Sequence, residues 1–390
     1  MGSVEVVPVS LPRDTVRFVR AWFTIYEDDP HWVPPLFFER KQFFDPARNP
    51  YFQHARVQCF LATRDGRDLG TIAATVDAVY QEEEPGTGFF GFFEFVDDPQ
   101  VAGALLDAAR AWLGKQGMKR MIGPFNFNTN HEFGLLVDGF ESDPFVANPH
   151  NAAYYPGIYE SIGLRKAMDW YAYRVEAEMP GIQKMIRVAD RVLGRHPEIQ
   201  IRPLDPSRFD EEVERVREIY RDAWEQNWAH VRVSDDEFDF IARGLRQIID
   251  PDLCFVAEIG DRVAAISITL PDFNQVVKKM NGRLMPFGWW HLLNRRRIID
   301  RVRIFMLGVK QEFQSLPLGA ALYARTFKDG LAKGYRWGEA SLILENNTRM
   351  RGALEKMGAT VYKTYRNYEI SIDAEAFGET MQEMQEGAIR

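Results

Sequence analysis

Ile304-Phe305-Met306-Leu307-Gly308-Val309, followed by Lys310-Gln311-Glu312-Phe313-Gln314-Ser315-Leu316-Pro317-Leu318-Gly319-Ala320-Ala321-Leu322, decide the fold. The first run is apolar and of strand length. The second reads as a turn entering a helix. Another apolar run ends at Leu342-Ile343-Leu344, and Glu345-Asn346-Asn347-Thr348 then opens a helix that closes on Glu355-Lys356-Met357-Gly358. Asn favours a helix start and Gly a helix end, so both boundaries are marked. The order strand, turn, helix, strand, Asn-capped helix sets two helix N-termini beside strand ends. Unpaired N–H groups and the helix dipole suit such a place to an anion.

The pattern repeats along the chain. Cys59-Phe60-Leu61-Ala62 is answered by Cys254-Phe255-Val256-Ala257, Tyr159-Glu160-Ser161-Ile162-Gly163 by Leu354-Glu355-Lys356-Met357-Gly358, and Tyr173 by Tyr368. Each pair is offset by 195 residues, half of the 390-residue chain, which argues for a duplicated unit. In the first half, strands are expected at 4–9, 57–63, 69–76, 88–95 and 118–122, with helices at 12–26 and 99–116. In the second half, strands are expected at 199–204, 253–259 and 262–270, with helices at 206–224 and 235–249. Domains are therefore expected at 1–176 and 199–390, joined by a linker helix over 177–198. The fold class is α/β (α+β): two units, each a twisted mixed central sheet with helices on both faces.

Composition excludes several classes. Apolar residues are 46% and charged residues 27%, ordinary for a folded globular chain. The net charge of -8 gives no reason to expect nucleic acid as a partner. Cys59 and Cys254 each sit in an apolar strand and read as buried free thiols, as in a reducing cytoplasm. No segment has the pattern of a signal peptide, and no apolar run approaches the roughly 20 residues of a membrane span. No His pair has metal spacing, and neither a Gly-x-Ser-x-Gly nor a Cys/His nucleophile pattern occurs, so no metal is expected.

The arrangement over 303–358 resembles the acyl-CoA-binding half of the GNAT (GCN5-related N-acetyltransferase) superfamily. The resemblance implies two tandem GNAT-like domains, no permanently bound cofactor, and acyl-CoA as co-substrate. That superfamily's phosphate turn is Arg or Gln, two residues, Gly, one residue, Gly or Ala. Gln314, Pro317 and Gly319 occupy its three positions, and Pro317 departs from the pattern by lacking an N–H. By this resemblance Val309, Gln314, Ser315, Leu316, Leu318, Gly319 and Ala320 hold the phosphates and the thioester arm, with an N–H near Val309 or Lys310 polarising the carbonyl. Asn346 and Asn347 match the Asn that contacts the pantetheine arm. Leu354 stands where the family's acid Tyr is usual, so a thiolate must be protonated by water or another group. Tyr365, with Tyr362 and Tyr368, is a candidate. At the corresponding place in the first half come Val96-Asp97-Asp98-Pro99-Gln100, whose carboxylates repel a diphosphate; that half is expected to bind no CoA and to help build the acceptor site.

For the acceptor, two polar clusters qualify. One contains Asn130, His131 and Glu132 within a long loop; the other is Trp224-Glu225-Gln226-Asn227-Trp228. Spacing expects Trp224 and Trp228 on one helix face. Glu225, Glu345 and Glu132 are candidate bases for an ammonium acceptor. Residues 271–300 form a basic-aromatic insertion: between Phe273 and Arg303 there are eight Lys/Arg against Asp300 alone. Such a segment suits peripheral contact with the inner face of a membrane through 273–303. The whole chain resembles a group of bacterial tandem GNAT-type proteins that includes the bacterial ceramide synthases, which N-acylate a sphingoid base or its 3-keto precursor with a long acyl-CoA. A small amine or lipid amine is the implied acceptor. Two other classes fit paired units of this kind: a Fem-type aminoacyl-tRNA-dependent ligase, and a non-catalytic CoA- or lipid-binding scaffold.

Overall fold

Along the chain the elements are β1 (Glu5–Val9), α1 (Thr15–Ile25), α2 (Phe37–Phe43), β2 (Ala55–Arg64), β3 (Arg67–Asp77), α3 (Ala78–Glu83), β4 (Thr87–Phe95), α4 (Pro99–Lys115), β5 (Arg120–Gly123), β6 (Leu135–Asp138), α5 (Tyr155–Ser161) and β7 (Arg165–Glu176). They continue as α6 (Pro180–Leu193), β8 (Ile199–Pro203), α7 (Phe209–Trp224), α8 (Asp235–Leu245), β9 (Cys254–Ile259), β10 (Arg262–Pro271), α9 (Asn274–Met280), α10 (Gly288–Leu293), α11 (Arg295–Ile298), β11 (Arg301–Val309), α12 (Leu318–Ala332), β12 (Trp337–Leu344), α13 (Thr348–Met357) and β13 (Thr360–Ser371). This computed structural model describes residues 2–372; the stretch 373–390 of the expected second domain lies outside them.

Two units emerge. One holds Met1–Asp169, Asn281–Arg283 and Thr364–Arg390, the other Trp170–Met280 and Leu284–Lys363. In the first unit the strands run β1-β2-β3-β4-β5-β13, with β6 paired to β13. In the second they run β8-β9-β10-β11-β12-β7. In both, the fourth and fifth strands are the parallel pair, β4 with β5 and β11 with β12. Each sheet is completed by a strand from the other half of the sequence. Residues 368–371 of β13 pair with β5, and residues 170–176 of β7 pair with β12.

Local chemistry explains the parts. Asp65 and Gly66 both take a positive φ, the two-residue turn that matches strand twist, so β2 and β3 close as a hairpin. Adjacent residues of β3 face opposite ways. A carbon on Gly70 would meet Leu105 of α4, while Thr71 accepts a bond of 2.9 Å from Trp22 Nε1 of α1. That alternation puts helices on both faces of the first sheet. The second sheet does the same: Leu307 faces Gly319 of α12, and Gly308 faces Trp224 of α7. The 195-residue offset reappears as geometry. After α5, Gly163 and Leu164 donate to Glu160 and Tyr159; after α13, Gly358 and Ala359 donate to Glu355 and Leu354. Gly163 and Gly358 both have φ above +90°, the left-handed helix end that glycine permits. Among the described residues no helix is long and apolar enough to cross a membrane.

Candidate active site

The site in the second unit begins with strands that part. β11 pairs with β12 only from Arg301 opposite Trp337 to Ile304 opposite Ala340. At that point β11 carries a bulge against β10, where Ile304 faces Thr269 and Met306 faces Ile268 while Phe305 has no opposite number. Beyond it β11 stays with β10, and the end of β12 follows β7 instead. Phe305, Met306, Leu307 and Val309 are left half-buried in the middle of a sheet. Lys310 N donates to Ala264 O at 3.0 Å, so residues 310 and 308 bond towards β10. By the alternation of antiparallel pairs, the N–H and C=O groups of Leu307 and Val309 then face the side β12 has vacated. The bond to Ala264 corrects the expectation that Lys310 N–H is available to a carbonyl; of the two positions, Val309 is the one whose N–H faces away from β10.

A turn follows the strand. Residues Gln311–Phe313 form one 3₁₀ turn, and Pro317 sits as the cap of α12 at φ -80° and ψ 35°. Ala321 N makes the first bond back to Pro317 O at 3.0 Å. The three preceding amides, of Leu318, Gly319 and Ala320, therefore belong to the turn of a helix that has no intrahelical acceptor. Leu318 turns its side chain into the core. Gln314, Ser315 and Ala320 are exposed and Leu316 is half-buried against the same core. Arg349 of α13 donates to Gln314 O at 3.0 Å, and Asp222 accepts from Gln311 N at 2.7 Å, so neighbouring helices hold the turn.

At α13 the two asparagines divide. Asn347 is the N-cap and accepts from Met350 N at 3.1 Å, while Asn346 is exposed. Glu345 is half-buried, and its carbonyl accepts from Arg351 Nη1 at 2.6 Å. Leu354 is a fully buried core side chain.

α7 ends at Trp224, which stacks on Tyr220 at 5.2 Å and lies over Gly308. Glu225 follows as an exposed C-cap. Trp228 lies beyond the helix, with its ring 6.2 Å from Trp170, and Asn227 N turns back to Trp224 O at 3.0 Å. The expectation of one helix face for Trp224 and Trp228 is thus corrected: the helix is held as far as Trp224 by Gly308, and Glu225-Gln226-Asn227 offer no apolar side chain to extend it. His230 is buried beside this turn, 6.1 Å from the Tyr220 ring. Burial pulls its imidazole below the usual value, against the raising influence of Glu225.

The remaining candidates lie in the first unit. Asn128 Oδ1 accepts from Asn130 N at 3.0 Å and lies 3.1 Å from His131 Nδ1; Glu132 is 3.5 Å from Asn126 Nδ2. Tyr365 is fully buried. The unit's own equivalent of the strand gap is closed. Phe125 N donates to Phe90 O at 2.7 Å, Asn126 accepts from Phe92 N at 2.8 Å, and Phe127 stacks between Phe43 and Tyr51 at 4.8 and 4.9 Å. Asp98 caps α4 itself and binds Arg64 at 2.8 Å. Beneath this lies Glu94, which accepts from Tyr155 at 3.0 Å and from Tyr26; burial raises its carboxyl from 4.5 to about 7.

No protein-family model matches the chain. It is 37% identical over 379 residues to the bacterial ceramide synthase of Caulobacter vibrioides, across 94% of this chain and 97% of that protein. The chain belongs to the bacterial ceramide synthase family. Protein YghO of Escherichia coli is 35% identical over 92% of this chain and 93% of its own length. Among solved structures, a tandem GNAT protein from the clavulanic acid biosynthesis pathway superposes with a TM-score of 0.57 at 13% identity, covering 95% of this chain and 99% of that one. A GCN5-related N-acetyltransferase from Sphaerobacter thermophilus gives 0.50 at 12% identity, covering 94% and 96%. The fold of this family member is therefore the tandem GNAT fold, and the chain is an acyltransferase.

Sequence reading missed two features of this ceramide-synthase relative. One is His230, which is buried beside the turn after α7. The other is buried where the strands part: Glu339 accepts from Ser341 Oγ at 2.5 Å and from Tyr362, and Arg303 Nε donates to Ser341 Oγ at 3.0 Å. A lone carboxylate in the otherwise apolar strand Trp337–Leu344 was the available signal, since a buried charge must be partnered.

Proposed function

We propose that the second unit binds acyl-CoA and transfers a long acyl group to the amine of a sphingoid-base-like lipid, by direct attack on the thioester. The parting of β11 from β12 beside the start of α12 carries this reading. The diphosphate would sit at the amides of Leu318, Gly319 and Ala320, with Gln314 and Ser315 at its rim. The amide-bearing pantetheine arm would extend the vacated edge at Leu307 and Val309 as an added strand, with Asn346 alongside. The named relatives support the acyltransferase class, and the 37% identity to a ceramide synthase supports the lipid amine.

The chemistry follows from the groups present. Val309 N–H points into the gap, where it would stabilise the oxyanion formed as the amine nitrogen bonds to the carbonyl carbon. An ammonium must first lose a proton. Glu225 and the neutral imidazole of His230 would take it, directly or through water. Collapse of the tetrahedral intermediate breaks the C–S bond, and the thiolate leaves to be protonated by water, since Leu354 offers no hydroxyl. The first unit, with its gap closed, would take no acyl-CoA; residues 199–390 would carry the site and α6 the link.

The deciding experiment combines calorimetry with palmitoyl-CoA and mass spectrometry of products from palmitoyl-CoA and sphinganine. Binding with formation of the N-acyl product is expected. Gly319→Trp should abolish binding and leave the circular dichroism unchanged. Binding of tRNA without CoA would replace this reading with the aminoacyl-transferring class, and binding without product would replace it with a scaffold.

A further inference from the structure

Eight large apolar side chains are exposed among the described residues, and five of them fall within nine positions: Met285, Phe287, Trp289, Trp290 and Leu293. They are 67%, 75%, 43%, 57% and 70% exposed. Trp289 and Trp290 stand four and three positions before Leu293, so α10 presents them on one face. Isolated exposed apolar residues are common, but a contiguous group this dense marks a surface that something covers.

Charge says what covers it. Directly after α10 come Arg295, Arg296 and Arg297, all exposed and, among the described residues, none in a salt bridge or side-chain hydrogen bond. The nearest carboxylate in sequence, Asp300, is engaged by Gln275: its Oδ1 accepts from Gln275 Nε2 at 2.8 Å, and its backbone N–H donates to Gln275 Oε1 at 3.2 Å. A second copy docked through the same surface would bring like charge against like. A nucleic acid would use the indoles and the arginines but would leave Met285, Phe287 and Leu293 facing water. An anionic bilayer satisfies both halves of the surface: aromatic and aliphatic side chains enter the acyl boundary, indoles sit at the headgroup level, and guanidinium groups meet the lipid phosphates. The chain's net charge of -8 would be repelled from such a membrane everywhere except here, which fixes the approach.

The surface stands on a firm base. α9 buries Val276 and Met280, and Arg301 donates to Asp272 at 2.6 Å in a buried pair immediately behind the insertion. We propose that Met285, Phe287, Trp289, Trp290, Leu293 and the Arg295-Arg296-Arg297 cluster seat this protein peripherally on an anionic lipid bilayer. The proposal rests on the lipid-amine reading only for its purpose, because both substrates then partition into the same membrane. Vesicle binding is read without turnover, so the two ideas fail separately.

The test uses the full chain with vesicles of phosphatidylethanolamine and phosphatidylglycerol, against vesicles of phosphatidylcholine alone. Co-sedimentation with the anionic vesicles and a blue shift of tryptophan emission are expected, weakening as salt shortens the Debye length below about 10 Å. Phe287→Ser with Leu293→Ser should reduce partitioning at least about tenfold per anchor. Arg295→Glu with Arg296→Glu and Arg297→Glu should abolish it. All these positions are exposed, so melting temperature is expected to hold, and Phe287→Ser alone serves if a multiple variant unfolds. Absence of binding to anionic vesicles, or binding that both variants retain, overturns the proposal. So does a dimer or an RNA complex that the same variants abolish in place of vesicle binding.

Discussion

Gly319 has neither a left-handed φ nor a neighbour that demands a missing side chain; an added carbon would lie 3.8 Å from Leu307. The fold does not require glycine there, and the reading above gives the space to a diphosphate. Gly319→Ala should therefore raise stability by about 0.4–1 kcal/mol and, because the superfamily's turn takes either Gly or Ala here, keep palmitoyl-CoA affinity, whereas the bulk of Gly319→Trp should abolish it. Urea unfolding and calorimetry measure the two, and unchanged affinity in Gly319→Trp would remove the site. Glu94 makes a different prediction. Its carboxyl is raised from 4.5 to about 7 by burial, against hydrogen bonds from Tyr26 and Tyr155. A raised folded value means a proton held more tightly in the native state. That stabilisation is full below pH 4.5 and is lost as pH climbs through about 7. Ionisation then costs on the order of 3 kcal/mol in a fully buried group. Wild type should melt lower at pH 8 than at pH 6, and Glu94→Gln should flatten the dependence; parallel curves would refute the assignment.

At the scale of elements, Gly308 governs how α7 meets β11. A carbon at Gly308 would stand 2.4 Å from the Trp224 ring and 2.9 Å from Ile219, so Gly308→Ala should push the helix away at about 1–3 kcal/mol, read as a lower urea midpoint. It should also lower acyl transfer by moving Trp224 and Glu225. Glu339 is the other hinge of the site. Glu339→Ala strands the buried Arg303, and about 3 kcal/mol of destabilisation is expected from calorimetric melting. These elements show why some of the molecule could be read in advance. The β2–β3 hairpin has Asp65-Gly66, and the ends of α5 and α13 have glycines at one offset; such signals are local. The turn before α12 and the Asn347 cap of α13 were legible because turn chemistry and capping need only a few consecutive residues. The bulge at Phe305 and the Glu339 cluster depend on partners tens of residues away, and no local pattern records them. Lys310 illustrates the limit, since its N–H was one of two candidates for the thioester carbonyl but bonds to Ala264.

For the whole molecule, duplication alone would give two self-sufficient halves, yet the last strands are exchanged. The first unit's β5 has Arg120–Gly123 paired to residues 368–371 of β13. The same segment supplies Arg366, bonded to Asp169 at 2.7 and 3.0 Å, Asn367, bonded to Pro124 O at 2.9 Å, and the fully buried Tyr368. Residues 1–176 expressed alone would therefore keep their α1 and α4 packing but expose an unpaired strand edge and an open aromatic core. Such edges template association between chains. That fragment should melt well below the intact protein and aggregate. A synthetic peptide of residues 360–372 should restore a monomer, because added strands recover main-chain pairing and side-chain pockets together. Size exclusion and thermal melting with and without the peptide decide the matter. A fragment that is monomeric alone and melts like the full chain would mean that the exchanged strand contributes no stability, and that the two repeats fold as independent copies.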